Sequence, residues 1–122
     1  MLTSKKHKAN ETFNDGVINV LEASDGVITK TLHSNIHFGK RTYGIKRFYE
    51  AQVTGSEIER LVSIPFNYLV DRKNLIELKD FHTGQTKIYK IAMYQEKYDT
   101  TPASIYLALV KTEIQYVDNR TT

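Results

Sequence analysis

Cysteine is absent from this sequence, and so is tryptophan. Without cysteine there is no disulfide, no thiolate metal ligand and no thiol nucleophile, a composition that suits a reducing cytoplasm. No apolar run approaches the ~20 residues needed to span a bilayer, so no membrane partner is expected. The first residues, Met1 to Glu11, are polar and basic and lack the apolar stretch of a secretory signal. Glycines are few, and Gly39, Gly44 and Gly55 form neither G-x-G-x-x-G nor a G-K-[ST] phosphate loop. No G-x-S-x-G elbow is present to frame a nucleophilic serine. Internal repeats and low-complexity segments are also missing.

What remains is a chain of 122 residues, the size of one domain with one core. A domain of this length buries roughly two thirds of the surface its unfolded chain exposes. The net charge of +3 is unevenly spread. Residues 1–47 hold eight Lys/Arg against four Asp/Glu, and residues 48–122 hold nine against ten. A basic first third reads either as a face for nucleic acid or an acidic partner, or as a solvated tail and loop.

Residues 1–12 lack apolar periodicity and read as a flexible basic tail. Gly16 to Ala23 and Gly26 to Leu32 are β-prone runs joined at Ser24-Asp25-Gly26, a hairpin signal. Residues 33–47, with two glycines, several cations and scattered aromatics, read as one long inserted loop. Further strands are expected at Phe48–Val53, Ile58–Pro65, Leu75–Leu78, Lys87–Glu96 and Ser104–Ile114. In Lys87–Glu96, Tyr89, Ile91 and Met93 share one face; Ile88, Ala92 and Tyr94 share the other. Arg60 interrupts the apolar face of Ile58, Val62 and Ile64, so it either snorkels at a rim or meets a partner. The expected fold is mainly β: a small β-barrel or β-sandwich of about seven strands over residues 13–117, carrying the loop 33–47, with a C-terminal tail at 118–122.

Residues suited to catalysis are scattered. His33 and His37 are four apart, a zinc-site spacing on a helix, but the residues between them argue against a helix and supply no third ligand. Glu57 and Glu59 share a strand face and read as a charged edge rather than an acid–base pair. The reading is therefore of a protein that is not an enzyme, with no catalytic residues, no metal and no cofactor. The one concentrated constellation is Lys40, Arg41, Tyr43, Lys46 and Arg47, running into Phe48 and Tyr49. Cations interleaved with rings suit a single-stranded nucleic-acid groove and equally suit a protein interface. Eight tyrosines without a tryptophan fit amphipathic contact surfaces.

Four stretches in order give the chain a family likeness. They are Gly39–Ala51 (GKRTYGIKRFYEA), Glu57–Pro65 (EIERLVSIP), Gly84–Ile91 (GQTKIYKI) and Thr101–Leu109 (TPASIYLAL). This order resembles the head-tail adaptor, or head-closure (head completion), proteins of long-tailed bacteriophages. In that family a basic G-x-R stretch runs into an F-[FY]-x-A strand. An alternating strand follows, then G-x-x-Y-x-I and a final [ST]-x-L-x-L strand. The resemblance covers about residues 13–114. It implies a viral structural protein of the virion neck, assembled in the host bacterial cytoplasm as a ring of copies of itself. The ring would close the DNA-filled head and offer a docking face to the tail. The partners implied are portal or adaptor proteins on the head side, a tail-terminator or tail-tube protein on the tail side, and the packaged DNA in the channel. Lys40, Arg41, Tyr43, Lys46 and Arg47 would then form the interaction loop or channel-facing element. Lys5, Lys6 and Lys8 would form an N-terminal docking arm. The dozen polar residues before the first strand depart from the family pattern. Two alternatives stay open: a tail-completion or tail-terminator protein at the same joint, and a small β-barrel that binds single-stranded nucleic acid.

Overall fold

A computed structural model describes residues 9–10, 12–41 and 58–120. Among them are nine strands and no helix: β1 Ala9–Asn10, β2 Gly16–Ser24, β3 Val27–Lys40, β4 Arg60–Pro65, β5 Leu75–Asp80, β6 Thr86–Lys97, β7 Thr100–Thr101, β8 Ser104–Lys111 and β9 Val117–Asp118. The main sheet runs β2-β5-β6-β8-β4-β3-β9, and β2 also pairs with β3. Six antiparallel strands therefore close on themselves as a barrel, with β9 added in parallel at the start of β3. The mainly β fold expected from alternation and turn signals is the fold found. The expected strand at Phe48–Val53 lies outside the described residues.

The β2–β3 hairpin turns at Asp25 and Gly26, both at positive φ (52° and 80°). Two consecutive positive φ values give the turn the twist that matches the flanking strands, and Asp-Gly adopts them at little cost. Beyond the turn, β3 continues to Lys40, which corrects the loop expected from residue 33. Its polar residues stay in the sheet because β2 supplies the ladder, pairing Ile18 with Ile36 and Gly16 with Phe38. Irregular register between Ile18 and Leu21 absorbs the poor strand formers. Asn35 sits there at φ 57°, its backbone N–H donating to the Asn19 side-chain oxygen at 2.9 Å. Residues 42–47 of the expected loop lie outside the described residues.

The interior is filled from every wall: Ile18, Val20, Ile36, Phe38, Val62, Ile64, Ile76, Leu78, Tyr89, Ile91, Ile105, Leu107 and Leu109. β3 and β4 pair at only two positions, Gly39↔Ser63 and Lys40↔Val62. Below that short seam Phe66, Tyr68 and Val70, in the connection after β4, pack against the core. His33 meets this connection twice, through the Leu69 carbonyl at 3.1 Å and edge-on to the Tyr68 ring.

β6 departs from the expected alternation. Ile91 faces Leu109 and Met93 faces Ala108, so Ala92 is an extra residue on its strand. The bulge reverses the phase of the remainder of β6. Tyr94 packs on the interior, while Ala92 and Met93 join an apolar cluster of Ile58, Leu61, Tyr106, Ala108 and Val110 on the other side of the wall. Met93 thus leaves the face it was expected to share with Tyr89 and Ile91. The strand expected over Ser104–Ile114, β8, stops at Lys111, and Ile114 is exposed.

Both expected tails are partly built into the fold. Ala9–Asn10 pairs with β7, and the Thr12 carbonyl accepts a bond from Arg41. Asp118 pairs in β9, and Arg120 grips Glu77 with both Nη atoms, at 2.8 and 3.1 Å.

Gly16 shows how tightly β2 is set. A Cβ there would run into the Lys79 carbonyl oxygen and the Phe38 ring. The Gly16→Ala variant is therefore expected to lose about 1–3 kcal/mol, because a backbone atom cannot move aside as a side chain can. Urea unfolding measures it; an unchanged midpoint would show that the β2–β5 contact is looser than described.

Candidate functional site

One end of the barrel gathers the polar chemistry. The start of β2, the end of β3, the start of β4, the end of β5 and the start of β6 meet there. On β3, β4 and β5 the side chains in phase with the core become charged at this rim. Lys40 follows Ile36 and Phe38, Arg60 precedes Val62 and Ile64, and Asp80 follows Ile76 and Leu78. Alternation points all three inward, where a charge is held only if paired.

Asp80 is the hub, with 1 % of its side chain exposed. Its Oδ2 accepts from Lys40 Nζ at 3.1 Å and from Arg60 Nη1 at 3.0 Å. Its Oδ1 accepts the His82 backbone N–H at 2.8 Å. Burial alone would raise its pKa, but the His82 N–H and the two cations outweigh it and bring the value down to about 2. Arg60 also approaches the Tyr89 hydroxyl at 3.4 Å.

Asp15 forms a second layer. Its Oδ2 accepts the Lys40 backbone N–H at 2.7 Å, and its Oδ1 lies 3.0 Å from His82 Nε2. These bonds hold its carboxyl below the usual range, the Lys40 amide contributing most. Lys87 pairs with Glu59 at 3.5 Å and lies 5.7 Å from the Tyr89 ring centroid. The Asp15–His82 pair has the geometry of a base with its orienting carboxylate. Here it ties the turn after β5 to the start of β2.

Of the residues singled out in the sequence, Lys40 and Arg41 belong to this end. Lys40 is bound to Asp80, and Arg41 donates to the carbonyls of Lys40 and Thr12, each at 2.7 Å. Tyr43, Lys46, Arg47, Lys5, Lys6 and Lys8 lie outside the described residues. Asp80, Asp15 and Tyr89 were not singled out, although a carboxylate continuing the apolar phase of Ile76 and Leu78 is a legible signal of a buried pair. His37 packs edge-on to Phe81, away from His33. Among the described residues no three His, Asp or Glu side chains converge as a metal ion would require, and no helix is long and apolar enough to cross a membrane. A depression lined by Asn19, Thr31, Leu32, Ser34, Asn35 and Arg120 marks the outer wall, with the Arg120 cation already paired to Glu77 and Asp118.

The opposite end is different in character. Leu69 is 87 % exposed in the connection after β4, and Tyr98, also exposed, lies 5.0 Å from the Phe66 ring.

In comparisons with known proteins, no family model matches the chain, and no curated protein or solved structure matches it.

Proposed function

We propose that this chain is a structural protein of a bacteriophage neck, forming a ring that closes the DNA-filled head and receives the tail. The observation that carries the reading is the order of the four family-like stretches along one small barrel. Gly39-Lys40-Arg41 lies at the end of β3, and the alternating stretch opens into β4. Gly84–Ile91, with four residues between its glycine and Tyr89, leads into β6, and Thr101–Leu109 runs into β8. Residues 42–57, with the rest of the first stretch, lie outside the described residues. A second support is the difference between the barrel ends. Cations gather around Asp80 at one, and exposed Leu69 and Tyr98 mark the other. A ring component between two unlike neighbours needs two unlike faces, and head-to-tail contacts between copies that close by rotation. Arg41, Tyr43, Lys46 and Arg47 are assigned to the contact element, together with the arm at Lys5, Lys6 and Lys8.

The test is electron microscopy of a lysate from a phage with an early stop codon in this gene. Emptied heads beside separate, complete tails are expected. Stable filled heads beside malformed tails would move the protein to tail completion. Normal infectious particles would overturn the neck reading altogether.

A further inference from the structure

We infer that Asp80 is a two-armed clamp that fixes the end of β3 against the start of β4, with Lys40 and Arg60 acting as positioning residues. This concerns the chain alone and stands whether or not the neck reading does. Residues 39–41, at the end of β3, and residues 58–61, leading into β4, are the two described stems on either side of positions 42–57. The ladder between β3 and β4 is short: Gly39 and Lys40 pair with Ser63 and Val62, and the bond from Arg41 N–H to the Leu61 carbonyl at 2.7 Å reaches the stem itself. Such a ladder does little by itself to hold two chain ends at a fixed separation.

Asp80 adds a tie from a third strand. Lys40 on one stem and Arg60 on the other reach the same oxygen, Oδ2. The carboxylate is itself held by the His82 N–H on Oδ1, and its backbone by bonds to Gln85 and Gly84 at 3.0 and 2.7 Å. Charge sets the sign of the effect. Two cations that share one carboxylate are drawn together; without its charge they repel across the same gap. Among the described residues several other groups lie near them. Asp15 is engaged with His82 and the Lys40 amide, Glu59 is paired with Lys87, and the Tyr89 hydroxyl touches Arg60. None of these spans both stems. Lys40, read from the sequence as a contact residue, is thereby reassigned to positioning.

Hydrogen exchange on the full-length chain tests the clamp. In Asp80→Asn, the amides of residues 39–41 and 58–61 should exchange roughly tenfold faster or more than in the unaltered chain. Glu77→Gln, which weakens the Arg120 pair on the other side of the β5 strand, is the control. It is compared at the urea concentration that equalises global stability, and there both stems should keep their protection. Removing one cation as well, in Lys40→Met/Asp80→Asn, takes away the repulsion and should restore part of the protection. Equal exchange in Asp80→Asn and the control, or loosening of one stem only, would overturn the clamp. If Asp80→Asn does not fold, Lys40→Met and Arg60→Met are read instead. Each should loosen both stems, and an effect confined to the mutated stem would overturn the inference.

Discussion

Truncating Phe38 to alanine is expected to remove about 3–5 kcal/mol of folding stability, seen as a lower urea midpoint at an unchanged slope. The ring is fully buried and lies over Gly16, where the missing side chain leaves room for it. It also sits one residue from the Gly39↔Ser63 pair, at the narrow seam between β3 and β4. A cavity there cannot be refilled from Gly16, since an added Cβ would meet the Lys79 carbonyl oxygen. Phe38→Leu keeps much of the volume and should lose clearly less than the alanine variant. Leu69→Ala, at an exposed position, should move the midpoint by no more than about 0.5 kcal/mol. A loss below about 1 kcal/mol for Phe38→Ala would mean that the ring does not fill the core as described.

Acid should weaken the fold in a definite window. The Asp80 carboxyl has a folded pKa of about 2 against an ordinary value of 3.8. A lowered folded pKa stabilises above the unfolded value and loses that contribution as pH falls through the folded one. Asp80 alone should therefore contribute about 2 kcal/mol at pH 7, unchanged down to about pH 5 and mostly lost by pH 2. Asp15 and Glu77 shift in the same direction, through the Lys40 amide and the Arg120 guanidinium respectively, and steepen the decline. Urea midpoints at pH 7, 5, 4, 3 and 2 measure it. The Asp80→Asn protein, already less stable at pH 7, should show a shallower fall below pH 4. An equal fall in both proteins would show that the buried carboxylate is not the titrating group.

Much of the barrel was legible because alternation is a strong signal where one face is buried. Ile105, Leu107 and Leu109 point inward as their spacing requires, and Asp25-Gly26 makes the turn its chemistry favours. The second half of β3 was not legible. His33-Ser34-Asn35 reads as loop chemistry, and only pairing with the distant Asn19 and Ile18 turns it into strand. Met93 departs from the face its spacing predicts because a bulge is decided by the neighbouring strand, and no local spacing announces the extra residue at Ala92. At the polar end, Arg60 is visible in the sequence as a break in an apolar face. Its partner lies twenty residues away on a strand that is not its neighbour in the sheet, so the pairing emerges only from topology.

The position of β8 between β6 and β4 has a bearing on how the chain matures during synthesis. β4 emerges early but meets β3 at just two positions, and its other ladder is six residues of β8, made some forty residues later. Until Ser104–Lys111 has left the ribosome, β4 and β6 each keep an open edge, and the barrel cannot close. Contacts of such long sequence separation form slowly and late. The nascent chain therefore passes through a sticky, half-walled stage in which chaperone capture competes with self-association. Ribosome-bound chains that hold Ser104–Lys111 inside the exit tunnel, and chains that carry it beyond the tunnel on a C-terminal extension, should differ sharply in protease resistance.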